Sequence, residues 1–87
     1  MISIQPVSIW INGEVKTATS LDLISINDNL SNSCLFQYFL FDADGAQLIT
    51  GNITMIGQDY IDYSSSPDSN AFAYDWACST LNLTQIP

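Results

Sequence analysis

The sequence predicts an α+β domain that is mostly β: an antiparallel meander of about five strands with one C-terminal α-helix packed on it. Three observations predict it. Residues 2 to 56 run through segments rich in Ile, Val, Phe and Tyr, separated by polar turn residues. Asn12-Gly13 and Asp44-Gly45 stand between such segments, where hairpins turn. After Pro67 the pattern changes to an unbroken helix-forming run, N-A-F-A-Y-D-W-A-C-S-T-L-N-L. There is no internal repeat, linker or low-complexity tail, so residues 1–87 are read as a single domain.

The first strand is expected over about 2–11, I-S-I-Q-P-V-S-I-W-I. Pro6 cannot donate to a ladder, which argues against a central place in the sheet for that part of the strand. A two-residue Asn12-Gly13 turn would set Ile11 opposite Glu14 and Trp10 opposite Val15, with the Trp10–Val15 contact on one face. A second strand is expected over about 14–19 and a third over about 21–27, L-D-L-I-S-I-N, ended by D-N-L-S-N-S.

The fourth strand, about 34–41, is C-L-F-Q-Y-F-L-F. Leu35, Phe39 and Phe41 point one way, and Phe36, Tyr38 and Leu40 the other. Both faces are apolar, so both are expected to be covered, by elements of this chain or by a neighbouring subunit. D-A-D-G then turns the chain into a fifth strand, about 46–56, in which Gly51 marks a bulge or a close backbone approach. S-S-S-P-D-S, residues 64 to 69, is expected to be a loop leading into the helix.

The helix is expected over about 70–82, with Asp68, Ser69 or Asn70 as its N-cap. On a helical wheel Asp75, Ser79 and Asn82 share a narrow polar side. Phe72, Ala73, Tyr74, Trp76, Ala77, Leu81 and Leu83 cover roughly 200° of the rest, about twice the stripe of an ordinary surface helix. One sheet covers one side only. A second partner is expected, either a loop of this chain or another protein.

Charge and composition bound the function. The net charge is −8, with Lys16 the only basic residue among nine acids. Nucleic acid is therefore not an expected partner, since phosphate neutralisation needs clustered Lys and Arg. An anionic membrane is disfavoured in the same way, and no stretch is long and apolar enough to span one. Charged residues make up 11% of the chain and apolar residues 47%. A soluble domain typically carries about 25% charged residues. A chain this small buries a thin core, so much uncharged surface must stay exposed, and such surface usually marks contact with other proteins.

No motif for chemistry stands out. Asp42-Ala43-Asp44-Gly45 begins like a calcium loop, but the later ligand positions hold Ala46, Leu48 and Ile53, so an Asp-Gly turn is the reading. Asp59 and Asp62 are read as solvated loop acids, because a glycosidase pair needs a cleft that tunes one acid against the other. Cys34 and Cys78 have no histidine partner and do not complete a zinc site. With no secretory segment before the first strand, they are expected to be buried free thiols. No catalytic, cofactor-binding or metal residue is assigned, and the chain is expected not to be an enzyme.

In order along the chain, S-I-W-I-N-G, Y-F-L-F-D-A-D-G, G-N-I-T-M-I-G-Q-D-Y, an alanine-containing aromatic helix and L-N-L-T-Q-I-P make up most of the sequence. This succession resembles the very small virion-associated structural proteins of tailed bacteriophages, with their Gly-Asn-x-Thr-Met-x-Gly-x-Asp-Tyr core and Trp-Ala…Leu-x-Leu-Thr tail. Tyr63 stands here where that pattern leads one to expect Trp. The resemblance implies a non-enzymatic decoration or assembly protein of the virion, made in the cytoplasm of a bacterial host. Its partners would be other capsid, neck or tail proteins and copies of itself.

Trp10, Tyr60, Tyr63, Phe72, Tyr74, Trp76 and Leu81 are the residues expected to dock it, since Trp and Tyr are enriched as interface anchors. Two other readings compete: a small ligand- or carbohydrate-binding β-module, and an acidic inhibitor that mimics an anionic partner.

Overall fold

The computed structural model describes residues 1–86. Its order is β1 (Ile2–Ile11), β2 (Glu14–Asp28), β3 (Ser33–Phe41), β4 (Gln47–Ile56), α1 (Gly57–Ser65) and α2 (Ser69–Leu81). The strands form one antiparallel sheet in the order β1-β2-β3-β4. The α+β, mostly β architecture is as the sequence predicts. Strand and helix numbers are not: among the described residues there are four strands and two helices.

The strand count differs because the expected second and third strands are one. β2 runs unbroken through Thr19 and Ser20. Its partners nonetheless divide it in two. Glu14 to Ala18 pair with β1, Asp22 to Asp28 pair with β3, and only Ser20 and Leu21 pair on both sides. Ala18 and Leu21, three positions apart, are both buried in the same core cluster, so the two-residue alternation of side chains breaks between them. A break in the hydrophobic pattern at 19–20 therefore marks a change of partner, not a turn.

The Asn12-Gly13 turn forms as expected. Both residues have positive φ, +50° and +82°, and Trp10 pairs with Val15 and Ile11 with Glu14. Pro6 lies in an edge strand, inside a register shift between Ser3 and Val7. At the β3–β4 hairpin the Asp42 carboxylate accepts from the backbone N–H of Asp44 and of Ala46, both at 2.9 Å, a turn held by its own side chain.

The second helix lies within one residue of expectation at each end. Asp68 caps it, accepting from the Ala71 N–H at 3.1 Å. It stops in a Schellman arrangement: Asn82 adopts φ +61°, and the Leu83 N–H donates to the Cys78 carbonyl at 2.8 Å. Ala73 and Ala77, one turn apart, are buried against the sheet and let the helix axis come close to it.

The first helix replaces an expected loop. It carries no side-chain N-cap and has only Tyr60 fully buried. Two core clusters result. One joins Ile4, Ala18, Leu21 and Leu40 of the sheet to Ala77 and Cys78 of α2. The other joins Cys34, Phe36 and Met55 to Tyr60 of α1 and Ala73 of α2. Cys34 and Cys78 are free and lie in different clusters.

Candidate functional site

The aromatic residues singled out by sequence divide into two groups. Tyr60, Tyr63, Phe72 and Trp76 pack on one another and on the sheet. Tyr63 is their hub, with ring centroids 5.7 Å from Phe36, 6.1 Å from Tyr60 and 6.4 Å from Phe72. Trp76 lies 5.6 Å from Phe36. The second covering element that the wide apolar face of α2 demands is thus supplied by the chain itself, as α1. Leu81 and Tyr74 are half-buried at the edge of the first core cluster. Trp10 alone is open, 72% exposed beside exposed Val15.

Hydrogen bonds occupy the polar ends of two tyrosines. The Tyr60 hydroxyl donates to Asp28 Oδ1 at 2.6 Å, and that bond, with some desolvation, pushes its pKa up to about 12. The Tyr74 hydroxyl donates to Asp22 Oδ1 at 3.0 Å and accepts from the Leu23 N–H at 3.3 Å. Burial, assisted by the Asp22 bond, raises the Tyr74 phenol above its ordinary range. Burial likewise raises both thiols, away from the thiolate form that reactivity requires.

The uncovered surface is the other face of the sheet. Register places Phe41 beside Ser20, Phe39 beside Asp22 and Thr50, Gln37 beside Ile24 and Asn52, and Leu35 beside Asn27 and Thr54. These residues point away from the helices, since the alternate residues Cys34, Phe36 and Leu40 are buried beneath them. Phe39 and Phe41 stack with centroids 6.4 Å apart, and Ile24 is exposed. Gln37 donates to Thr50 Oγ1 at 3.1 Å, which holds the centre of this face in a fixed arrangement. The expectation that both faces of 34–41 need covering is met on one face only.

Sequence reasoning missed a further apolar feature, Leu30. It sits at the tip between β2 and β3, 84% exposed, with φ +60°. A left-handed leucine is strained, and a dense loop network holds it there. Asp28 accepts from the Leu30 N–H at 2.8 Å, and Asn29 Oδ1 accepts from the N–H groups of Ser31, Asn32 and Ser33. The available signal was a single leucine inside D-N-L-S-N-S, flanked by residues that build such turns.

One hollow of about 300 Å³ opens where α2 ends short of the turn end of the sheet. Val7, Ile9, Leu40, Ile49, Leu81 and Leu83 form its walls, and only Tyr38 and Asn82 bring polar groups. It offers apolar contact without a carboxylate among its lining residues. The acids lie elsewhere: Glu14 and Asp42 and Asp44 at the hairpin turns, and Asp59, Asp62, Asp68 and Asp75 exposed on the helical layer. Asp59 and Asp62 are thus on a helix, not a loop, and remain solvated.

Searched against family models, curated proteins and solved structures, the chain matches none of them.

Proposed function

We propose that this chain is a non-enzymatic structural or accessory protein of a tailed-phage virion, held in the particle by apolar contact with other virion proteins. The observation that carries this reading is the outer face of the sheet, where exposed Ile24 and half-buried Phe39, Phe41 and Leu35 lie on the side away from both helices. Stacked aromatics on a rigid sheet are low-entropy anchors, and exposed apolar area of this kind favours a protein partner. The docking surface is accordingly this face, supplemented by Leu30 and Trp10, in place of the helix and its aromatic cluster. The particle context rests on the resemblance of the sequence pattern to small virion-associated phage proteins.

Mass spectrometry of purified particles tests it. The chain is expected at a fixed stoichiometry, and the Phe39→Ala/Phe41→Ala variant is expected to fold but not to incorporate. Absence from particles, or normal incorporation of that variant, would overturn the reading.

A second reading, an acidic inhibitor of a basic protein, draws on the exposed Asp59, Asp62, Asp68 and Asp75 of the helical layer. It predicts binding to a basic partner that weakens steeply with salt.

A further inference from the structure

Exposed strand edges invite pairing, and natural domains blunt them with proline, charge, bulges or a covering segment. Two of the three edges here are treated in that way. Along β1, Pro6 removes a donor, and residues 84 to 86 cover the strand: the Gln5 N–H donates to the Thr84 carbonyl at 2.8 Å and the Ile86 N–H to the Ser3 carbonyl at 3.0 Å. Along the half of β2 that β1 leaves uncovered, Asp22 and Tyr74 take the Leu23 N–H, and a register shift between Ser25 and Asn27 distorts the strand.

The third edge, β4, carries none of these devices. Its sequence, Q-L-I-T-G-N-I-T-M-I, has no charge and no proline. Its one irregularity lies at its start, before Ile49, after which pairing with β3 is regular to Ile56. Among the described residues nothing pairs with its outer side. The nearest acids in sequence are Asp44 and Asp59, so in a chain of net charge −8 no carboxylate lies along this strand to repel a second copy.

We infer that β4 pairs antiparallel with β4 of a second copy, joining two four-stranded sheets into one across a two-fold axis. The strand is self-complementary for this. Partners in an antiparallel pair share a face, and Ile49, Ile53 and Met55 lie on the helix side while Thr50, Asn52 and Thr54 lie on the open side. A two-fold register centred on Asn52 therefore sets Ile49 against Met55, Thr50 against Thr54 and Asn52 against itself. A copy is favoured over a basic partner, because no carboxylate on this edge would recognise one. The dimer would present both bare sheet faces on the same side, doubling the surface offered to a third protein.

Sedimentation of the isolated full chain over a concentration series tests the pairing without reference to any particle. A dimer is expected below about 100 μM. Asn52→Asp/Thr54→Asp, which brings like charges together across the seam, is expected to weaken it at least about tenfold while leaving the unfolding transition in place. As a second measurement, Asn52→Cys is expected to give a disulfide-linked dimer on mild oxidation, because both native thiols are buried, whereas Trp10→Cys is not. A wild-type chain that stays monomeric, a dimer indifferent to the two aspartates, or equal cross-linking through position 10 would each overturn it. Loss of the particle reading alone would leave these results unchanged.

Discussion

The hydroxyl of Tyr60 donates to Asp28 Oδ1 at 2.6 Å, tying the middle of α1 to the far end of β2. Asp28 also accepts from the Leu30 N–H, so one carboxylate couples the helix to the loop that presents Leu30. Tyr60→Phe keeps the buried ring and removes this tie. It is expected to lower Tm by about 5 °C, the scale of one net hydrogen bond in a domain this small. Amide exchange should quicken in residues 29 to 33 as well as in α1. Unchanged exchange in that loop would show that the two are not coupled through Asp28.

The same bond makes the fold sensitive to base. The Tyr60 pKa rises from 10.0 to about 12, and Tyr63, Tyr74, Cys34 and Cys78 are displaced upward as well. Each of these groups holds its proton more tightly folded than unfolded. Between pH 10 and about 12 the native chain keeps the Tyr60 proton that the unfolded chain has released. That contribution to stability is complete below this window and is lost as pH rises through it. Tm followed against pH should fall steadily there, and less steeply in Tyr60→Phe.

The sheet was largely legible in the sequence, and the first helix was not, for reasons local to each. Asn12-Gly13 admits almost one backbone geometry and so fixes the register of Trp10 and Val15. The alternation of β3 likewise assigns each residue to a face. By contrast, Q-D-Y-I-D-Y is short, has no capping side chain at Ile56 and begins at a glycine, so nothing local distinguishes it from a turn. It is helical because Tyr60 and Tyr63, three apart, reach Phe36, Phe72 and Asp28 from one face. Those partners lie far along the chain. Tyr60, Tyr63, Phe72 and Trp76, candidates for a contact between proteins when read from sequence, therefore pack within the chain.

Gly51 is the close approach that its place in a strand suggests. It pairs with Tyr38, whose ring crosses the space above it, and a Cβ there would stand 2.6 to 2.8 Å from three atoms of that ring. An aromatic over a cross-strand glycine shields backbone that would otherwise be bare. Gly51→Ala must push the ring toward the hollow beside Leu40 and Ile49, which limits the cost to about 1 kcal/mol after the gain in strand propensity. In a double-mutant cycle with Tyr38→Ala the penalty should vanish. Equal penalties in both backgrounds would assign it to the backbone instead.

Asp68 holds the start of α2 through the Ala71 N–H and places a negative charge where the helix dipole favours one. Asp68→Ala is expected to cost about 1 kcal/mol. Asp68→Asn keeps the acceptor and should lose only the smaller electrostatic part, a loss that salt hides in the wild type. Chemical denaturation of the three proteins at low and high salt checks the order.

The two tryptophans should behave oppositely, which decides how docking can be tested by mutation. Trp76 packs on Phe36 and borders both core clusters, so Trp76→Ala is expected to cost about 3 kcal/mol, a large share of the stability of a chain this small. Trp10 is open to solvent, and Trp10→Ala should change stability by no more than about 0.5 kcal/mol. Fluorescence separates them: the Trp76→Ala protein should emit at long wavelength and be quenched readily by acrylamide, and the Trp10→Ala protein should do neither. Loss of particle incorporation in Trp76→Ala would then report unfolding, whereas the same loss in Trp10→Ala would report a broken contact. If Trp10 proves shielded at high concentration and open on dilution, the hairpin that carries it lies within a contact between copies.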